Sequence, residues 1–226
     1  MQASRLGLDK VSSRLKFERA GLAVPRWRLL DATARETLQE WAEQLGLPLV
    51  VKPPNQGSSL GVSIIAARAQ LEAAVTEAAR YHPQVLMESF IRGRELTVGI
   101  LDQQPLPVVE IHPVNRQFFD FTAKYTAGQT RYDVPADLDV SMAARVQAAG
   151  LAAHQALGCR HFSRVDMMLS RDGEPVVLEV NTIPGMTAMS LLPKAASCVG
   201  ISYEDLCERL VMLALDPAKT AAGTGP

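Results

Sequence analysis

The segment SRVDMMLSRDGEPVVLEVN (163–181) constrains this chain more than any other. Asp172-Gly173 is a two-residue hairpin signal between two extended runs. A turn there sets Asp166 opposite Glu179 and Arg164 opposite Asn181, and strand alternation sends all four side chains to one side of the sheet. Opposed side chains lie about 5 Å apart, where two carboxylates repel unless something positive sits between them. A solvated face on which Arg164 merely pairs with an acid would carry the same pattern. The donor types favour a bound cation. Asp, Glu and the Asn amide are hard oxygen ligands with no His or Cys among them, a set that suits Mg²⁺. Magnesium held by so few protein oxygens completes its shell with substrate phosphates, so the hairpin implies a nucleotide.

A nucleotide needs cations and backbone donors. Twenty-three Lys+Arg against 24 Asp+Glu leave a formal charge of -1, which gives no long-range field for nucleic acid. Phosphate binding must therefore come from placed lysines, and no nucleic-acid partner is expected. There is no GxxxxGK[ST] and no GxGxxG. The remaining candidate is Gln56-Gly57-Ser58-Ser59-Leu60-Gly61, between strands expected at 47–54 and 62–66. Its amides and hydroxyls can close over phosphates, or it can be an ordinary hairpin loop. Lys52, at the end of the preceding strand, can reach the same phosphates or lie solvated. Glu88 and Glu95 can be surface charges or acceptors for adenine and ribose.

Around these motifs the pattern is mixed α+β. A helix over 5–20 carries the stripe Leu8, Val11, Leu15 and ends at Gly21. A second opens at Thr33, with Glu36 completing a capping box, and carries Leu38, Trp41 and Leu45. A helix at 69–80 and a strand at 84–90 follow. Strands over 95–101 and 106–112 flank a turn at 102–105, and a loop without clean periodicity runs over 118–132. A helix at 141–157 precedes the hairpin, a loop at 181–193 follows it, and a helix near 203–215 closes the chain. The expected division is a lobe at 1–94 with the phosphate loop, a lobe at 95–216 with the metal residues, and a flexible tail at 217–226. Three cysteines in no CxxC spacing read as reduced thiols, with Cys159 a core residue. No apolar run is long enough to span a membrane and the N-terminus lacks a signal core, so a cytoplasmic protein without a membrane partner is expected.

In this order, VVKPPNQGSSLGVS, VLMESFIRGREL, AKY, SRVDMML and LEVNTIPGMT resemble the ATP-grasp ligases, and among them the D-alanine–D-alanine ligase family of peptidoglycan precursor synthesis. The resemblance runs from about Leu8 to Leu215 and implies an ATP-grasp fold of two α+β lobes with the nucleotide between them. It implies that Lys10 and Lys52 hold the ATP phosphates, with Ser58 and Ser59 in the covering loop. It gives Glu88 and the Ile91 backbone the adenine, and Glu95 the ribose. Lys124 corresponds to the lysine that reaches the terminal phosphate, and Tyr125 to its substrate-side neighbour. Asp166, Glu179 and Asn181 correspond to the ligands of two Mg²⁺ (or Mn²⁺). Arg164 and the Gly185 backbone correspond to the groups that stabilise the transferred phosphoryl and the oxyanion. Ser190 and Leu191 correspond to the pair that holds the carboxylate of the second D-alanine. The implied reaction phosphorylates one D-alanine and joins it to a second, and a homodimer is implied with it. The alternatives are another ATP-grasp amino-acid ligase and a non-catalytic ATP-binding fragment.

Family members carry a further N-terminal lobe, whose glutamate binds the first D-alanine and links to the positions of Ser58 and Tyr125. This sequence opens on the segment bearing Lys10, so a fragment, or a lobe supplied by another chain, is expected. Ser89 stands where a lysine is usual. The Lys124-Tyr125 pair favours a D-alanine acceptor over D-lactate.

Overall fold

The computed structural model describes residues 1–33, 37–57, 60–113 and 130–216. Two antiparallel sheets organise them. The smaller has strand order β1-β4-β2-β3, with β1 at Trp27–Asp31, β2 at Leu49–Lys52, β3 at Ser63–Ile65 and β4 at Gln84–Ser89. Helices α3 (Leu38–Leu45) and α4 (Leu71–Ala79) bury Leu38, Ala42, Leu45, Leu71 and Val75 against it.

The larger sheet runs β10-β9-β5-β7-β8, with β6 paired to β5. These strands are β5 Gly93–Leu101, β6 Gln104–Pro105, β7 Val109–Pro113, β8 Thr130–Asp133, β9 Phe162–Ser170 and β10 Pro175–Asn181. The two-residue period assigns its faces. Leu96, Val98 and Ile100 of β5, with Val165 and Met167 of β9, turn to one side and pack with Val146 and Ala153 of α5 (Val140–Ala156). The opposite face carries Thr97 and Asp166 in one row, and Gly99 and Arg164 in the next. Farther along, that face is apolar beneath α6 (Leu191–Ser197) and α7 (Tyr203–Leu215), where Leu101, Leu192 and Leu206 cluster. The turn before β6 places Asp102 and Gln103 at φ 48° and 62°, the left-handed pair that suits a tight hairpin.

Several expectations change. The first helix is two, α1 (Gln2–Leu8) and α2 (Lys10–Arg19), because Asp9 leaves the helix and caps the second, its Oδ1 accepting from Val11 N and Ser12 N at 3.0 and 3.1 Å. Leu8 and Leu15 are exposed, and α2 instead buries Lys10, Ser13, Arg14 and Phe17, most of which pattern analysis reads as a solvent face. Phe17 packs in the core of the larger sheet. Thr33 donates to Asp31 through its N and Oγ1, and α3 begins at Leu38; residues 34–36, Glu36 among them, lie outside the described residues. The end of the expected loop at 181–193 already belongs to α6, which runs over Leu191–Ser197, and the end of that at 118–132 belongs to β8, Thr130–Asp133.

Gly93 enters β5 where an added Cβ would lie 1.9 Å from the Leu169 carbonyl oxygen. Backbone cannot yield as a side chain can, so Gly93→Ala is expected to cost ~3 kcal/mol, read as a loss of thermal stability.

Candidate nucleotide-binding site

The hairpin carrying the acids closes differently from the expected two-residue turn. Ser170 N donates to Glu174 O at 2.9 Å and Gly173 N to Ser170 O at 3.0 Å, leaving a three-residue loop at 171–173 with Gly173 at φ +76°. That shifts the pairing by one, so Pro175 faces Leu169 and Val177 faces Met167. A bulge between Val177 and Glu179 restores it, and beyond the bulge Glu179 faces Asp166 and Asn181 faces Arg164. The expected acid pairing holds because two one-residue departures cancel. Without the bulge, Glu179 would point into the core.

Asp166 is the hub of this face. Arg164 donates to both its oxygens at 2.8 Å, Thr97 Oγ1 donates at 2.7 Å and Asn181 Nδ2 at 2.9 Å. The bond from Nδ2 leaves the amide oxygen of Asn181 as the atom it offers a cation. The Lys10 ammonium stands 4.0 Å from Glu179 and donates to Gln56 O at 2.5 Å, and Lys10 N donates to Pro54 O at 2.9 Å. The start of α2 is thereby fixed to the turn before the glycine-rich loop.

Across from the acids lies a cationic group. Glu88, 2% exposed, accepts from Arg14 Nε at 2.5 Å through one oxygen and pairs with Lys52 Nζ at 2.6 Å through the other. Burial alone would raise the Glu88 carboxyl, but Arg14 and Lys52 outweigh it and hold it below the usual range. Burial pushes Lys52 down to about 8, only partly offset by Glu88. Both oxygens of Glu88 thus serve cations while the residue lines the cavity.

Lys10, Lys52, Glu88, Ile91, Glu95, Asp166 and Glu179 all line one cavity of about 600 Å³ between the two sheets, a volume suited to a nucleotide. Arg164 and Asn181 adjoin it through Asp166. Gly185 and Ser190 approach each other in the turn after β10, where Ser190 Oγ accepts from Thr187 N at 3.1 Å just ahead of α6. They are not among the cavity-lining residues, and the side chain of Leu191 is buried in the core beneath α6. Ser58, Ser59, Lys124 and Tyr125 lie outside the described residues.

Arg14 and Thr97 escaped the sequence reading, since neither stands in a recognisable motif. A second charged group lines the cavity wall: Arg94 grips Glu110, and His112 Nε2 lies 2.8 Å from Asp133. Glu110, His112 and Asp133 offer ligand atoms within 4.8 Å of one another, but Arg94 and Arg131 already balance the two carboxylates. Cys159 is buried, and burial raises its thiol to about 11, which fits a core residue. Among the described residues no helix is long and apolar enough to cross a membrane.

A family model described as the D-ala D-ala ligase C-terminus matches residues 16–212. The D-alanine–D-alanine ligase of Anaeromyxobacter sp. (strain Fw109-5) is 44% identical over 209 residues, covering 92% of this chain and 68% of that protein. The same-named protein of Geobacter sulfurreducens is 45% identical over 213 residues, covering 94% and 66%. The solved D-alanine–D-alanine ligase of Bacillus anthracis matches with a TM-score of 0.84 at 37% identity, covering 95% of this chain and 69% of that one. Its complex with ATP matches at 0.82 and 34% identity, covering 95% and 68%. The chain spans about two thirds of the length of the curated relatives it matches.

Proposed function

Because the chain belongs to the D-alanine–D-alanine ligase family, with its ATP-grasp α+β fold, we propose that it carries the nucleotide and metal half of an ATP-dependent, ADP-forming ligase that joins two D-alanines for peptidoglycan precursor synthesis. The observation that carries this reading is the split of charge across one cavity. Lys52 and Arg14 share the single carboxylate of Glu88, leaving one positive charge unmatched on one side, and Asp166 and Glu179 stand on the other, with Arg164 and Lys10 beside them. An anion with bound divalent cations complements both halves.

The carboxylates of Asp166 and Glu179 and the amide oxygen of Asn181 fit Mg²⁺ or Mn²⁺, being hard oxygen donors on one sheet face. When bound, the metal would neutralise phosphate charge as it transfers. In the first step a D-alanine carboxylate oxygen attacks the γ-phosphorus and the bond to the β-phosphate oxygen breaks, leaving acyl phosphate and ADP. In the second, the amine of another D-alanine attacks the acyl carbon, loses a proton and expels phosphate. Lys10 and Lys52 bind the phosphates, Glu88 holds Lys52 in place, and Ile91 and Glu95 flank the nucleoside. Arg164, fixed by its two bonds to Asp166, faces the transferred phosphoryl, and Gly185 the oxyanion. Ser190 and the Leu191 backbone take the acceptor carboxylate, and Ser58, Ser59, Lys124 and Tyr125 complete the covering loops. No covalent protein nucleophile is required. A cytoplasmic location, a division into lobes near residue 94 and a homodimer accompany this reading; sedimentation tests the last.

Lys52 supplies a pH signature. Its folded pKa of about 8 means that the free protein loses this positive charge as pH rises through 8, and bound phosphate favours its return. ATP binding at pH 8.5 is expected to take up a fraction of a proton, read by calorimetry in two buffers of different ionisation heat. A product screen over amino acids tests the reaction. D-alanyl-D-alanine should dominate; a different dipeptide, or ADP release indifferent to D-alanine, would contradict it.

A further inference from the structure

We infer that Arg14 is a positioning residue that fixes Lys52 and Glu179 relative to each other across the nucleotide cavity, an assignment that rests on the ligase reading above. Arg14 lies one helical turn beyond Lys10 on the same face of α2 and is fully buried. Its guanidinium reaches both sheets. Nε and Nη2 pair with Glu88 on β4, and Nη1 donates to the carbonyl of Leu178 on β10 at 3.0 Å.

Each contact holds something the reaction uses. Glu88 is the carboxylate that grips Lys52, and it is shared: one carboxylate facing two buried cations leaves a positive charge unmatched, which a phosphate can satisfy. Leu178 lies at the bulge between Val177 and Glu179, which turns Glu179 toward Asp166. A planar fork can satisfy two acceptors in fixed directions, whereas a lysine ammonium is a point charge on a flexible stem. Arg14 thus aims the phosphate-binding lysine and a metal carboxylate from one buried group. A residue needed only for stability would hold the fold without setting either.

The groups facing Lys52 are Glu88 from β4 and Arg14 and Lys10 from α2, with Arg14 and Lys10 disfavouring its charge. Mg-ATP titrated into the full chain by calorimetry, with Arg14→Lys and Arg14→Met across pH 6.5–9.5, decides the matter. Both variants are expected to bind about tenfold more weakly. In Arg14→Met the pH at which binding weakens should move upward, because Lys52 loses a repelling neighbour; in Arg14→Lys, which keeps the charge, it should stay. Affinities within twofold of wild type with an unmoved pH midpoint would overturn the assignment. So would failure of both variants to fold, since Arg14 would then be holding the fold and not the site. A wild-type chain that binds no Mg-ATP would remove the ligase reading itself, and this assignment with it.

Discussion

Glu179→Gln is expected to lower magnesium-dependent ATP turnover by about 100-fold or more while leaving the thermal transition nearly unchanged. Glu179 is half-buried at the cavity wall, and it pairs with Lys10 only at a loose 4.0 Å. Replacing it by a neutral isostere removes a hard anionic ligand and strands no strong partner. Asp166→Asn should behave differently. Its carboxylate anchors Arg164 through two bonds and accepts from Thr97 and Asn181 as well. Neutralising it takes the counter-charge from a largely buried guanidinium, so stability should fall by ~1–3 kcal/mol alongside activity. ADP formation and thermal denaturation, measured on both variants, separate the two roles. Near-normal turnover in Glu179→Gln would contradict the metal assignment.

Glu88→Gln is the second large effect. Removing one partner of a buried ion pair leaves the other charge uncompensated, and here it leaves two, Arg14 and Lys52. The expected cost is about 3–5 kcal/mol, a fall in Tm of roughly 10 °C for a chain of this size. The exposed pair Arg68–Glu43, at 2.8 Å, provides the control: Glu43→Gln should cost under ~1 kcal/mol. The pH dependence has a definite sign. The folded carboxyl of Glu88 lies below its ordinary 4.5, so its stabilisation is complete above that value and is lost as pH falls through the folded pKa. Denaturation of wild type and Glu88→Gln between pH 3 and 7 should show the gap closing toward acid. Equal small losses for Glu88→Gln and Glu43→Gln would show that the buried group is not structural.

The acidic hairpin was legible because strand alternation and a turn signal are local, and because Asp166, Glu179 and Asn181 are all hard ligands. The bulge near Leu178 was not, since no residue type marks it; Arg14, which holds it, is 164 positions away in sequence. The first helix misled for a related reason. A stripe of Leu8, Val11 and Leu15 announces a core face, yet α2 buries lysine and arginine because their partners, Gln56 of the glycine-rich loop and Glu88 of β4, arrive from distant parts of the chain. Two local signals do mark these helix starts: Asp9 ahead of Val11 and Ser12 as an N-cap, and Pro193 in the first turn of α6. The role of Glu88 could not be read from VLMESF at all, because it depends on which two cations meet it.

The most direct test of the central claim is ADP release from Mg-ATP by this chain, measured with and without D-alanine. The account predicts ADP release that requires magnesium, rises with D-alanine and yields a dipeptide seen by mass spectrometry. ADP release that ignores both magnesium and D-alanine would contradict it.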